Sequence, residues 1–391
     1  MLESATPSTG VTVMRACLAP LLLLLCMVPK VGAETLVYVG TYTRGDTSSQ
    51  GIYVATLDES DGSLSAPRLA ATAENPSFLA IHPDGKTLYA VSEVSDGEGN
   101  SGALIAYSIH ADGTLKELNT RRTGGGGACH VAVDPTGQCV AVANYGGGSC
   151  ASFPIRQDGS LGPTASFHQH VGGSGVNPRR QSAPHAHSVN FNRTGTQAFV
   201  ADLGMDQIRL YDVDPQSATL TPSSPPFVAL PPGSGPRHFC LTPDEQIAFT
   251  NLEMTSQVAM LDYAPSEGTL SVGPILSTLP SDNAVEGNST AECLVHPSQN
   301  VVYVSNRGHN SIAMFRYDEA PMSLTALGNQ STEGEIPRGF GITPSGNYLV
   351  VGNQRSETVV TLAIDPKTGQ LSSTGHQIQI GSPVNVRFLQ R

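Results

Sequence analysis

Tryptophan is absent from this chain of 391 residues, and charged residues make up only 14 % of it. Against these shortages stand 41 glycines and 28 prolines, a composition of many short elements joined by turns. Positive charge is scarce as well: four Lys and 17 Arg face 33 acidic residues, for a net charge of −12. That balance excludes nucleic acid and anionic membrane surfaces as natural partners. The preference for Arg over Lys points to positions where a fixed fork of donors matters. Cysteine is sparse. Cys17 and Cys26 lie near the front, and Cys129, Cys139, Cys150, Cys240 and Cys293 remain, an odd number with no C-x-x-C spacing. Neither a disulfide framework nor a zinc site is indicated, and in a strand-built core these read as buried free thiols.

A membrane-spanning run is missing too. Met14 opens "MRACLAPLLLLLCMVPKVGAE", in which Arg15 precedes an apolar run through Val28, and the small residues Gly32 and Ala33 precede Glu34. The run is too short to cross a bilayer, and Leu25 before Cys26 is too large for a lipoprotein site. The expectation is a signal peptide over residues 1–33, with Met14 the true initiator, and one domain over 34–391, exported to the periplasm or secreted. Without Arg15, Lys30 and Glu3 the remainder carries 19 basic against 32 acidic side chains, a net of −13.

What is present is repetition. "PSFLAIHPDGKTLYAVSE", "ACHVAVDPTGQCVAVANY", "AHSVNFNRTGTQAFVADL", "PRHFCLTPDEQIAFTNLE", "AECLVHPSQNVVYVSNRG" and "PRGFGITPSGNYLVVGNQ" share a strand, a tight turn and a second apolar strand. Third strands such as "GALIAYSI" and "NSIAMFRY" follow, and Asp-Gly at Asp61, Asp112 and Asp158 marks later hairpins. Units begin near Ser77, Cys129, His187, Arg237, Ala291 and Arg338, the spacing of four-stranded propeller blades. Three strands at the front and the lone "SPVNVRFLQ" at the C-terminus are left over. Pairing them gives an all-β, seven-bladed β-propeller whose ring is closed by N- and C-terminal strands sharing one blade.

In such a blade the start of the first strand and the end of the second lie at the same mouth of the axial channel. The first column supplies Ser77-Phe78, Cys129-His130, His187-Ser188, Arg237-His238, Ala291-Glu292 and Arg338-Gly339. The second supplies Thr41, Glu93, Asn144, Asp202, Asn251, Asn306 and Asn353, with Glu253 and Arg307 just beyond. A concave mouth lined by His, Arg and Glu suits a small anionic ligand: Arg forks grip oxyanions, and a carboxylate or imidazole moves a proton. The plain alternatives are that Asn at a strand end forms turns and that a loop Arg is simply solvated. His82 and His296, before Pro at the opposite end, read as structural. The link "TASFHQHVGGSGVNPRRQSAP" is longer than joining two blades requires and can fold over the mouth with Arg179, Arg180 and Gln181. "TGGGGA" lacks the strand-to-helix setting of a phosphate loop.

"APHAHSVNFN" places His185 and His187 on one side of an extended chain. A lasting metal site needs more ligands than this pair, and only His168 and His170 of "HQH" offer themselves. Glu93, Asp202 and the Asn ring could hold Ca²⁺, but arginines at the same mouth oppose a cation. No metal and no cofactor is expected.

"NYGGGS", "GVNPRRQSAPHAHSV", "GPRHF", "NLE", "AECLVHP", "VYVSNRGHNSI", "IPRGFGITPSGNYLVVGNQ" and "GSPVNVRF" together resemble the propeller-type 6-phosphogluconolactonase family, which is related to fungal carboxymuconate cycloisomerase. The resemblance implies a carboxylic ester (lactone) hydrolase in carbohydrate metabolism, opening a sugar δ-lactone to its aldonic acid. By motif it places a catalytic set on His187 (or its neighbour His185), Arg237, Glu253 and Arg307. His187 or Glu253 would be the base, and the arginines would stabilise the oxyanion or carboxylate. His185, His238, Glu292, Arg338, Arg180 and Asn353 are assigned to substrate binding. The expected partner is a small anionic lactone, and a monomer is assumed. 6-Phosphogluconolactone arises in the cytoplasm with the pentose phosphate pathway, so an exported chain implies another lactone; a cytoplasmic chain would carry no working leader. Two rivals are a muconate-type cycloisomerase and a noncatalytic exported propeller that binds through the same mouth.

Overall fold

The computed structural model describes residues 1–12, 34–95, 101–280 and 285–391. The chain divides into Met1–Gly32 and Ala33–Arg391. Of the first unit, residues 1–12 are exposed and carry no regular structure. The leader proposed above falls mostly on residues 13–33, outside the described residues. Among the described residues no helix is long and apolar enough to cross a membrane.

Among its described residues the second unit holds 28 strands in seven four-stranded antiparallel sheets. Blade 1 takes Thr35–Thr41, Gly51–Leu57 and Arg68–Thr72 from the front and its innermost strand, Pro383–Gln390, from the C-terminus. Thr35 faces Gln390 and Val39 faces Val386 in that junction, so the ring is closed by both ends of the chain. Blades 2 to 7 start at Leu79, Ala128, Ala186, Pro236, Ser289 and Pro337. The turn glycines Gly62, Gly113 and Gly159 have φ of +81°, +84° and +81°, which explains the Asp-Gly pairs at these hairpins.

Position in the blade dictates the apolar pattern. Second strands such as Cys139–Asn144 and Gln197–Asp202 are buried at every residue, because blades cover both faces. Fourth strands such as Leu371–Gln379 alternate with exposed polar residues, since one face meets water. Among the described residues the core is correspondingly divided into seven hydrophobic clusters, one per blade–blade seam. Phe153 and Tyr89 anchor the seam of blades 2 and 3, and Val37, Val386 and Val350 that of blades 7 and 1. Tyrosine hydroxyls latch neighbouring blades: Tyr38 donates to Gly113 O at 2.9 Å, Tyr89 to Gly159 O at 2.9 Å and Tyr303 to Gly369 O at 2.7 Å. Cys129, Cys139, Cys150, Cys240 and Cys293 are free, four of them buried.

Candidate active site

The inner strands are not regular where they enter the ring. In blade 4, Ala186 faces Asp202 but Ser188 faces Ala201, leaving His187 as an extra residue. The same one-residue excess falls at Cys129 in blade 3, Arg237-His238 in blade 5, Ala291-Glu292 in blade 6 and Arg338 in blade 7. A β-bulge bends the strand and re-aims the side chain it carries. Here it converts a column of strand starts into a ring of inward-pointing polar groups.

One mouth of the channel holds a cavity of about 450 Å³ lined by Tyr42, Arg44, Glu93, Cys129, Tyr145, Arg180, His187, Glu253, Arg307, Arg338, Gln354 and Ser382. At its floor Glu253, only 4 % exposed, is a hub. Its Oε2 lies 3.1 Å from Arg237 Nε, 3.1 Å from Arg307 Nη2 and 4.0 Å from His187 Nε2, and Oε1 accepts from Arg180 Nη2 at 2.8 Å. Burial alone would raise the Glu253 pKa, but the Arg307, Arg237 and Arg180 charges outweigh it and hold the carboxyl far below its usual range. Burial, reinforced by the Arg237 charge, drives His187 well below the ordinary 6.5, so its imidazole is neutral. Among the described residues His187 makes no strong hydrogen bond through its ring: Cys129 Sγ is 3.8 Å from Nδ1, and the Tyr145 ring stands edge-on at 5.0 Å. Arg237 is brought down to about 10 by burial and by its like-charged neighbours Arg307 and Arg338.

A second group secures Arg338. Its Nη2 donates to Tyr42 Oη at 2.9 Å, and Tyr42 in turn donates to Glu93 Oε2 at 2.8 Å, where Ser77 Oγ also donates at 2.6 Å. Burial pushes the Tyr42 hydroxyl up to about 12 despite Arg338. Burial disfavours the Arg338 charge, yet Tyr42, Glu93 and Glu253 more than offset it and raise its pKa. Arg180 comes from the long link after blade 3 and bonds Tyr145 Oη through Nε and Nη2 at 3.3 and 3.0 Å. The link is tied down behind it: Gln181 Nε2 donates to Leu203 O at 3.0 Å and to Asp206 Oδ1 at 2.7 Å.

Of the residues picked out from sequence, His187, Glu253, Arg307, Arg338 and Arg180 line this cavity, and Arg237 lies beneath it against Glu253. The other four do not line the cavity. His185 stacks on Tyr145 at 4.5 Å with Nδ1 2.9 Å from Tyr145 O, one layer behind. His238 and Glu292 lie on the far side of Arg237, lining a separate cavity of about 330 Å³ with Phe78, His130 and Arg387. Arg237 and His238, the two residues of the blade 5 bulge, both border a narrow gap beneath the Glu253 cavity with His187 and Arg338, and His238 also reaches the far cavity. Asn353 is fully buried and donates to Thr332 O at 2.9 Å and Thr358 Oγ1 at 3.2 Å. Asn144 and Asn306 likewise donate to Thr123 O and Thr278 O, so these three Asn fasten the end of the preceding blade, whereas Asn251 donates to Thr290 Oγ1 and Ala291 O of the next blade. Tyr42, Tyr145, Arg44 and Gln354 were missed. Three of them had a signal, for Tyr42, Tyr145 and Gln354 stand one residue past that column, as Arg307 does.

Among the described residues no group of three or more His, Cys, Asp or Glu is placed to hold a metal ion. His168 bonds Leu220 O at 2.9 Å, and His170 Nδ1 lies 2.6 Å from Asp202 Oδ2, so the "HQH" pair is committed elsewhere.

The family model described as "Lactonase, 7-bladed beta-propeller" matches residues 36–388. The chain belongs to this lactonase family. A 6-phosphogluconolactonase of Bacillus subtilis is 35 % identical over 357 residues, covering 90 % of this chain and 98 % of the relative. Among solved structures, a periplasmic gluconolactonase of Pseudomonas aeruginosa is 33 % identical with a TM-score of 0.84, covering 92 % of this chain and 99 % of that one. A putative 6-phosphogluconolactonase of Bacteroides fragilis is 33 % identical with a TM-score of 0.83, covering 91 % and 98 %. The lactonase is thus a lactone hydrolase, and the cavity around Glu253 is where an imidazole, a carboxylate and clustered guanidinium groups meet.

Proposed function

We propose that this lactonase opens an anionic sugar δ-lactone of the 6-phosphogluconolactone type at the cavity above Glu253. The observation that carries the reading is charge: four arginines line the cavity against two carboxylates, beside a neutral imidazole. Glu253 is a poor base, since two guanidinium groups share its Oε2, a third holds Oε1, and its proton affinity is suppressed. His187 is the base. It takes a proton from a water that attacks the lactone carbonyl carbon, and the charge gathering on the carbonyl oxygen falls to Arg237 and Arg307. Glu253, 4.0 Å away, favours the imidazolium so formed. When the ring C–O bond breaks, that proton passes to the departing ring oxygen, giving the open aldonic acid, which ionises. Arg338 and Arg44 remain for a carboxylate or phosphate elsewhere on the substrate.

The names of the B. subtilis and P. aeruginosa relatives support a gluconate-type lactone. The leader, together with the periplasmic relative, supports export; retained in the cytoplasm, the same reaction would serve the pentose phosphate pathway. The test is a panel of phosphorylated and unphosphorylated aldono-δ-lactones followed by acid release, with His187→Ala alongside. Turnover should be fastest for the phosphorylated lactone and fall by about 10³-fold in His187→Ala, the scale of a lost general base. No acid release from any sugar lactone, or an active His187→Ala variant, would refute the reading.

A further inference from the structure

The buried groups left unused lie directly beneath the site. Arg237 Nη1 is 3.0 Å from His238 Nε2, and His238 Nδ1 is 2.5 Å from Glu292 Oε1. The three residues are 3 %, 4 % and 2 % exposed. A guanidinium can only donate, so His238 Nε2 must be the acceptor and the ring proton must sit on Nδ1, where it is donated to Glu292. The direction of the whole chain is therefore fixed by Arg237. It matches the neutral state of His238, whose pKa burial and the Arg237 charge push well below 6.5.

The backbone around the pair is equally constrained. His238 N donates to Asn251 Oδ1 at 2.9 Å, Thr250 Oγ1 donates to His238 O at 2.8 Å, and Glu292 Oε1 also accepts from Cys293 N at 3.2 Å. Arg237 is the residue that needs such support. Two like charges, Arg307 and Arg338, stand near it, and besides His238 it has Ala291 O and Glu253 to hold it.

The geometry points to Glu292 and His238 as a positioning relay that orients the Arg237 guanidinium for the developing oxyanion, from the opposite side of the channel to the substrate. The inference rests on the role given to Arg237 above. It replaces the expectation that His238 and Glu292 touch substrate. The cavity of about 330 Å³ lined by His238, Glu292, His130 and Arg387 matters here, because a small molecule can reach the relay there without entering the substrate cavity.

Two near-isosteric variants separate orientation from mere filling. His238→Gln keeps an amide oxygen close to the place of Nε2 and so an acceptor for Arg237. His238→Asn keeps a group near Nδ1 for Glu292 but leaves Arg237 without its acceptor. A guanidinium displaced by about 1 Å costs on the order of 10²-fold in turnover. The expected result is near-parental kcat for His238→Gln and a loss of about that size for His238→Asn, with KM little changed because the interaction belongs to the transition state. Added imidazole should partly restore His238→Ala without competing with the lactone. Glu292→Gln, which still offers a carbonyl to Nδ1–H, should stay within a few-fold of the parent, and it decides the matter if the His238 variants do not fold. Equal kcat for the Gln and Asn variants, rescue that competes with lactone, or a Glu292→Gln variant as impaired as His238→Asn would overturn the relay. Arg237→Lys is the control: if it turns over like the parent, the oxyanion role of Arg237 fails; if it is impaired while His238→Asn is not, the relay alone fails.

Discussion

At the mouth where the inner strands begin, His187 is buried with Cys129 Sγ at 3.8 Å and Glu253 at 4.0 Å, and among the described residues its ring has no closer hydrogen-bond partner. At the opposite end, His82 and His296 are the same residue type in the same repeat. There, Nε2 of His82 lies 3.0 Å from Gly137 O and that of His296 2.9 Å from Gly346 O, both on the next blade. His296 Nδ1 further accepts from Ser298 N and Gln299 N at 3.1 and 3.0 Å. The satisfied imidazoles join blades. The one with spare capacity faces a cavity where a proton can be moved. The difference comes from place in the blade: a histidine at the hairpin turn meets backbone carbonyls, and one on the entry bulge meets side chains of other blades across the channel.

The largest effect that would sharpen this contrast comes from removing residues 382–391, because the terminal strand serves both ends of the ring. It supplies Val384 and Val386 to the core, 4 % and 0 % exposed, each worth about 1.5–3 kcal/mol of burial. That is a large part of a typical margin of about 5–15 kcal/mol, and blade 1 would also present an unpaired edge. The expected outcome is loss of cooperative thermal melting together with activity. Parental melting in the truncated protein would mean that the ring does not depend on closure by its terminal strand.

A smaller change addresses the far end alone. His296→Ala removes a buried acceptor and leaves Gly346 O and two turn amides without their partner, a cost of about 1–3 kcal/mol. The melting temperature should fall while kcat and KM on a sugar lactone stay at parental values. A changed kcat at unchanged stability would show that the two ends are not separable as drawn.

The blades were legible in the sequence because each repeats the same turn chemistry and the same fully buried second strand, and the unmatched "SPVNVRFLQ" pointed to closure. The strand starts were read as one ring around one mouth. What the pattern did not carry is the bulge: it lets His238 and Glu292 reach the far cavity while Arg237 stays against Glu253. Asn353 shows a second limit. A polar residue recurring at strand ends is equally the fastener of the preceding blade, and only its bonds to Thr332 O and Thr358 Oγ1 tell the two roles apart. Tyr42 was passed over because an aromatic beside a strand end reads as core, whereas here its hydroxyl bridges Arg338 and Glu93.

The central claim is that a neutral His187, not Glu253, removes the proton from water. Its most direct test is kcat/KM for a sugar δ-lactone as a function of pH, corrected for uncatalysed opening. A base must be unprotonated to act, and burial with Arg237 depresses the His187 pKa well below 6.5, so the active form persists as pH falls through that value. The account predicts a flat profile from about pH 8 through 6.5, a single descending limb well below it, and no such limb in the residual activity of His187→Ala. A limb centred at or above 6.5, or one that survives in His187→Ala, would contradict it.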